Sequence, residues 1–344
     1  MAVKCLISKD NSFIIKGCGI LLMLIHHLFY DLDSRVLYDD FVINIHGHEF
    51  GLANQLGVYG KLCVALFVFL SGYGLTISAP REHFSLRRFY LRRFTKLYMN
   101  YWFIVLIFVP IGVLCFDRSF GDAYGSHVVL KAVLDFWGVL SVIGKTGYNP
   151  TWWFYSCIIT LYLLFPLLNR CLSHHYLSVF MVSVIISLGV NIPGVSPIAW
   201  YLLPFIAGMI TARIPIEFLS RIKPIEAVFC FMFLSGIRNF SGNIVFIIDT
   251  MLCFSLAIMV YHWSRQCFFK KVFVQLGKHS MNMFLFHTFI FYYWFKDETY
   301  FFRNPIIITA QLLLICYILS VVIELIKNKI GFYSLVSRVY SSFD

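Results

Sequence analysis

The sequence predicts an all-α fold: a polytopic transmembrane helical bundle of about ten spans, both termini cytoplasmic, forming one membrane domain over residues 1–344. Three observations predict it. Of 344 residues, 60% are hydrophobic and only 13% are charged, which is too little polar surface for a soluble globule of this size. Several apolar runs reach the roughly 20 residues that cross a bilayer, with Gly and Pro scattered inside them as membrane helices tolerate. The 28 Lys and Arg sit in short clusters between those runs. On a ten-span topology only Arg35, Lys61, Arg118, Lys131, Lys145, Arg238, Lys296 and Arg303 fall outside, and the excess inside follows the positive-inside rule. The net charge of +11 is therefore a topology signal and argues against nucleic acid as a partner.

The first span covers residues 13–30, an apolar run with Lys16 near its start and His26-His27 near its end. From Lys16 to His27 a helix makes about three turns plus ~20° and rises ~16 Å, so the two side chains share a face, with His26 about 100° away. Ionisable groups in a membrane usually face a bundle interior or a cavity, which makes this face a candidate site. The plain alternative is an interfacial anchor at Lys16 and an interface feature at the histidines. No small-residue cleavage pattern follows the run, so a cleaved signal peptide is not expected.

An acidic loop, about Asp31 to Gly57, reads as non-cytoplasmic; its His46-x-His48 lacks a further ligand cluster. The second span, about Val58 to Ala79, carries Ser71, Gly72 and Gly74, small residues that let a neighbouring helix approach. Arg81 to Lys96 is the densest positive segment and is cytoplasmic. The third span, about Leu97 to Phe116, runs outward to an excursion from Asp117 to Thr151, in which residues 128–143 read as an external or re-entrant helix interrupted by Lys131 and Asp135. The fourth span starts at Trp152-Trp153-Phe154. Spans five and six (about 176–190 and 198–212) bracket an outside turn with Pro193 and Pro197. Spans seven and eight (about 224–236 and 244–262) lead to inside cations including Arg265. Spans nine and ten (about 280–295 and 305–326) precede a basic tail. The ten cysteines lie mostly in apolar runs without metal-ligand spacing and read as membrane packers, so neither a metal nor a disulfide framework is expected.

Two clusters carry candidate chemistry. One is the Lys16 and His27 face. The other is Arg92-Arg93-Phe94-Thr95-Lys96, in which Arg93 and Lys96, three apart, share a helix face able to grip phosphate. A purely topological role, touching anionic lipid, stays open for the second.

With both in hand, the chain resembles the acyltransferase-3 family of integral membrane acyltransferases, which O-acylate cell-surface polysaccharides and related acceptors. The family's Arg or Lys, ten residues, then His matches Lys16 and His27. Its Arg-x-x-Arg falls on Arg93 and Lys96, followed by an aromatic pair at Tyr101-Trp102. Ser71-Gly72-Tyr73, Trp153-Phe154 and Ser280 to His287 resemble further motifs, in order. Lys96 stands where Arg is usual and Met99 where Pro is common. The chain resembles a stand-alone member without an extracellular esterase-like domain.

The resemblance implies acetyl-CoA as acyl donor, approaching from the cytoplasm, and a glycan or lipid-linked sugar as acceptor, in a bacterial inner (plasma) membrane and among its lipids. It implies His27 and Lys16 as catalytic residues, Arg92, Arg93 and Lys96 at the donor, and Trp153 and His287 at the substrate. His27 then serves as general base or acyl relay; an imidazole's ordinary pKa of ~6.5 suits that work. Asp249 and Glu324 are expected to neutralise buried cations. The rival class is a transporter or flippase for a glycan or anion, with His27 and Asp249 relaying protons.

Overall fold

A computed structural model describes residues 5–31, 33–45, 48–79, 85–263 and 269–341. His46, Arg81, His83 and Arg265, read above as loop or cytoplasmic residues, lie outside the described residues. Helices dominate: α1 (Lys9–Phe29), α2 (Leu52–Gly60), α3 (Leu62–Ser78), α4 (Leu86–Cys115), α5 (Phe120–Tyr124), α6 (Val128–Phe136), α7 (Trp153–His174), α8 (Tyr176–Gly189), α9 (Ser196–Thr211), α10 (Ile216–Leu219), α11 (Pro224–Arg238), α12 (Val245–Trp263), α13 (Lys270–Thr288), α14 (Lys296–Tyr300), α15 (Pro305–Lys329) and α16 (Phe332–Ser341). Among the described residues, six segments are long and apolar enough to cross a membrane: Lys9–Phe29, Leu52–Ser78, Leu86–Cys115, Pro150–His174, Gly242–Trp263 and Pro305–Lys329. Helices α8 and α9 are apolar but shorter. Helix α11 has 15 residues, and α13 carries Lys270, Lys271 and Lys278 along its first half.

Helix α1 is the pillar of the bundle. Its first half puts Ile14 and Ile15 into a core with α3, α7, α9 and α12. Its second half, Ile20 to Phe29, belongs to another core with α4, α13 and α15. Glycines let α1 and α13 approach backbone to backbone: a Cβ at Gly17 would collide with the Phe273 carbonyl, and one at Gly277 with the Phe13 carbonyl. The expected close approach at the second span is found at Gly72, which faces the Phe205 carbonyl of α9, and not at Gly74, which has open space.

Three parts differ in detail from the sequence reading. The acidic loop contains an antiparallel hairpin, Val42–Ile45 with Val42 opposite Gly51, because Asp40 turns the chain back by accepting the α2 N-terminal amides of Ala53 (2.7 Å) and Asn54 (3.2 Å). That satisfies donors a helix start leaves free. The second span begins earlier, with α2 stacked end on end below α3. Residues 128–143 split into α6 and a 3₁₀ turn, Leu140–Ile143.

Helix α6 lies against α4 through the aromatic pair and its neighbour: Tyr101, Trp102 and Tyr98 donate to the carbonyls of Asp135, Phe136 and Trp137 at 2.7, 2.9 and 2.9 Å. Those carbonyls lie at the C-terminal end of α6, where backbone partners run short, though Asp135 O also accepts from Gly138 N at 2.7 Å. Asp135, 5% exposed, accepts from Tyr124 Oη (2.8 Å) and Tyr148 N (2.7 Å), which explains a carboxylate in this semi-apolar segment.

Arg238, counted above as an outside loop cation, is instead buried in a two-point pair with Asp249 (Nε to Oδ1 2.5 Å, Nη2 to Oδ2 3.0 Å). Lys327, counted in the basic tail, is 0% exposed and donates to Asn100, Asn282 and Glu324 at 2.9–3.0 Å. The expectation that Asp249 and Glu324 neutralise buried cations fits both pairs. Removing one partner of such a pair typically costs ~3–5 kcal/mol, because the other charge is left buried.

Candidate active site

The C-terminal end of α1 is pinned from two sides. Tyr300 Oη donates to Leu28 O at 2.8 Å, and Asn54 Nδ2 donates to Phe29 O at 2.8 Å. The turn bearing the paired histidines is thereby fixed. His26 Nδ1 lies 2.8 Å from Gly57 O; a carbonyl only accepts, so this nitrogen carries the proton and ties His26 to α2.

His27 turns instead to α13. Its ring centroid lies 4.9 Å from that of His287 and 6.4 Å from that of Phe291. No hydrogen bond to the His27 ring is present among the described residues. His287 is fully buried and its Nδ1 faces Phe284 O at 2.9 Å and Met283 O at 3.2 Å. By the same reasoning Nδ1 is protonated and Nε2 is the acceptor, 3.3 Å from Thr288 Oγ1. With its proton given to Nε2, that hydroxyl lies 3.3 Å from Thr151 Oγ1, which itself donates to Asn149 Oδ1 at 2.8 Å. Directly after Thr288 the chain takes one π-helical stretch, Phe289–Trp294, a distortion common beside functional sites.

Two cavities lie along α1. The first, of about 420 Å³, is lined by Lys16, Arg93, Lys96 and Lys278 with Ser71, Asn100 and Glu324 among its polar groups. Glu324 is already engaged by Lys327, Asn282 (2.8 Å) and Tyr333, so the lining carries an excess of positive charge. Arg93 is steadied by a hydrogen bond to Ser78 Oγ. The second cavity, of about 320 Å³, is lined by His26, His27, Lys61, Thr151, Trp153, Trp200 and Tyr201. Phe67, Phe154 and Phe284 line both. These rings meet edge to face, at 6.3 Å for Phe67 and Phe154 and 5.2 Å for Phe154 and Phe284, and form an aromatic partition.

Residues 14–325 match the acyltransferase-3 family, described as an acyltransferase domain. The chain belongs to the acyltransferase-3 family. No curated protein and no solved structure matches it.

In this membrane acyltransferase the residues singled out from the sequence divide between the two cavities. Lys16, Arg93 and Lys96 converge on the first; His27 and Trp153 line the second. Lys16 therefore stands apart from His27, on the far side of the partition. Arg92 is exposed and lines neither cavity. His287 also lines neither, and meets His27 from within the protein with its ring tilted by 42°. Sequence reasoning missed the partition, because three phenylalanines in a chain with 37 give no local signal. It also missed Lys61, Trp200 and Tyr201, whose approach to His27 depends on how α3 and α9 pack.

Proposed function

We propose that this acyltransferase moves an acetyl group from cytoplasmic acetyl-CoA to a hydroxyl of a cell-surface or lipid-linked polysaccharide, in a bacterial inner membrane. The observation that carries the reading is the pair of cavities sharing one aromatic wall, cationic on one side and imidazole-bearing on the other. Ten spans with cytoplasmic termini would put Arg93 and Lys96 at the cytoplasmic face, where CoA is found.

On this reading Arg93 grips CoA phosphate with its planar fork, while Lys16 and Lys96 act as point charges. The thioester reaches past Phe67, Phe154 and Phe284, whose rings keep water from the reacting carbon. The acceptor hydroxyl, held near Trp153, gives its proton to His27 as its oxygen attacks the thioester carbonyl. The new C–O bond forms, the C–S bond breaks, and the thiolate leaves with the proton returned from His27. His287 supports the geometry by packing against the His27 ring.

The test uses purified protein in detergent with labelled acetyl-CoA and glycan acceptors. Acceptor-dependent CoA release with label on the glycan is the expected outcome, matched by acetylated surface glycans in a host carrying the chain and unmodified ones without it. Glycan movement across a vesicle membrane with no CoA release would replace this reading with transport.

A further inference from the structure

The second cavity contains a cation and a hydroxyl that the protein itself leaves unanswered. Lys61 sits at the junction of α2 and α3, with its Nζ 5.9 Å from the centroid of the Trp200 ring. It makes no hydrogen bond or ion pair among the described residues. Among the described residues no carboxylate lines the cavity, and Asp249 in the same region is held at both oxygens by Arg238. Tyr201, 1% exposed, also lines the cavity, and its Oη is buried with no hydrogen-bond partner among the described residues. A buried hydroxyl without a partner and a partly desolvated ammonium whose neighbouring carboxylate, Asp249, is already paired with Arg238 both cost stability. An anionic ligand in the cavity would supply a free counter-charge for Lys61 and an acceptor in the wall that carries Tyr201.

The surrounding walls suit a sugar. Trp153 stacks on Tyr201 (5.9 Å, 27°) and Trp200 on Phe246 (5.2 Å, 14°), so both indoles are held by ring packing beside His27. Rigid aromatic walls with a few placed polar groups are the usual make-up of a small-molecule site. We infer that the acceptor is an acidic glycan, one bearing a carboxylate or phosphate near the modified hydroxyl, with Lys61 and Tyr201 holding the acid group and Trp153 and Trp200 the sugar. This rests on the acyl-transfer reading above and names its acceptor class. An ammonium is a compact point charge that serves either anion, so the two sources are separated by the test.

The full-length protein in detergent is titrated, without acetyl-CoA, with a neutral hexose oligosaccharide, its uronic-acid counterpart and its phosphorylated counterpart, following tryptophan fluorescence. The acidic sugars should bind roughly tenfold or more tightly than the neutral one, as expected for hydrogen bonds to a charged group. The carboxylate and phosphate arms then show which acid is preferred. Lys61→Met should bring acidic and neutral affinities to within about twofold of each other, Lys61→Arg should keep most of the preference, and added salt should narrow it. Tyr201→Phe should weaken the acidic sugars by roughly three- to tenfold, the worth of one hydrogen bond. Equal binding of neutral and acidic sugars, or an unchanged preference in a Lys61→Met protein that elutes as the parent does, overturns the inference. Acetyl transfer to the same sugars is scored separately. Transfer without discrimination overturns the acidic acceptor and leaves acyl transfer standing; discrimination in binding with no transfer to any of the sugars keeps the anion site and overturns acyl transfer.

Discussion

The cavity holding Lys16, Arg93 and Lys96 and the cavity holding His27 share Phe67, Phe154 and Phe284, yet their other walls have opposite chemistry. The first is built from side chains that hold fixed charge and can bind phosphate tightly without taking part in bond making. The second sets a single lysine, Lys61, among imidazoles and indoles, groups able to move a proton or lie against a sugar. Lys16 and His27 are separated along one helix by about 16 Å of rise and line different cavities. The separation teaches that one spacing in the sequence, Lys16 to His27, can serve two different cavities.

Breaking the second cavity should have the largest effect. A general base contributes ~10²–10⁴-fold, so His27→Ala should lower kcat for acetyl transfer by that order with acyl-CoA affinity kept. His26→Gln, which retains a donor for Gly57 O, should cost far less. Steady-state kinetics on both variants checks this. Equal losses would mean that the α13-facing position of His27 is not what matters.

Breaking the first cavity should act on affinity. Arg93→Ala removes a charge-assisted contact worth about 1.5–3 kcal/mol, so acyl-CoA binding should weaken roughly 10- to 100-fold with a smaller change in kcat. Lys96→Ala should do less, since lysine offers no bidentate grip. Calorimetric titration with acetyl-CoA distinguishes the two, and unchanged affinity in a well-folded Arg93→Ala protein would reduce the cluster to a topology signal.

Both cavities depend on how closely α1 and α13 approach. Gly277→Ala puts a methyl against the Phe13 carbonyl, and overpacking of this kind costs ~1–3 kcal/mol. A lower unfolding temperature in detergent and reduced activity are expected together, as His27 is pushed off His287. Gly74→Ala, which fills open space on α3, should stay within about 0.5 kcal/mol of the parent.

A further effect lies outside the long membrane-spanning helices, in the short helix α6 that braces α4. Burial pushes the Asp135 carboxyl up from 3.8 to about 6, opposed in part by its bonds from Tyr148 and Tyr124. A carboxyl raised on folding binds its proton more tightly in the folded state, so the stabilising protonated form is lost as pH rises from about 4 to about 6. Over that window Asp135 should lower stability by the order of 2–3 kcal/mol. Asp135→Asn should remove this component, read as a flatter dependence of unfolding temperature on pH between 4 and 7.

Much of the frame was legible because a membrane imposes simple rules. The long apolar helices, the positive segment that opens α4 and the small residues at Gly72 all follow from bilayer thickness, charge placement and helix contact. The Lys16 and His27 spacing was legible because helical periodicity alone puts them on one face. Other features were hidden. Arg238 and Lys327 look like ordinary loop and tail cations in the chain, and only packing reveals Asp249, Asn100 and Asn282 as their partners. Tyr101-Trp102 looks like a motif of a site, yet the two side chains tie α6 to α4 by answering its terminal carbonyls.

The sequence by itself determined that this protein is a helical membrane acyltransferase with a basic cluster and a histidine in its first helix, since composition, periodicity and ordered motifs are properties of a one-dimensional string. The tertiary structure alone decided that Lys16 and His27 face separate cavities, that His287 backs His27, and that Lys61, Tyr201 and the two indoles gather beside them. Those side chains come from helices far apart in the chain, and which of their faces meet is set by glycine contacts and side-chain shape, quantities that no local spacing encodes.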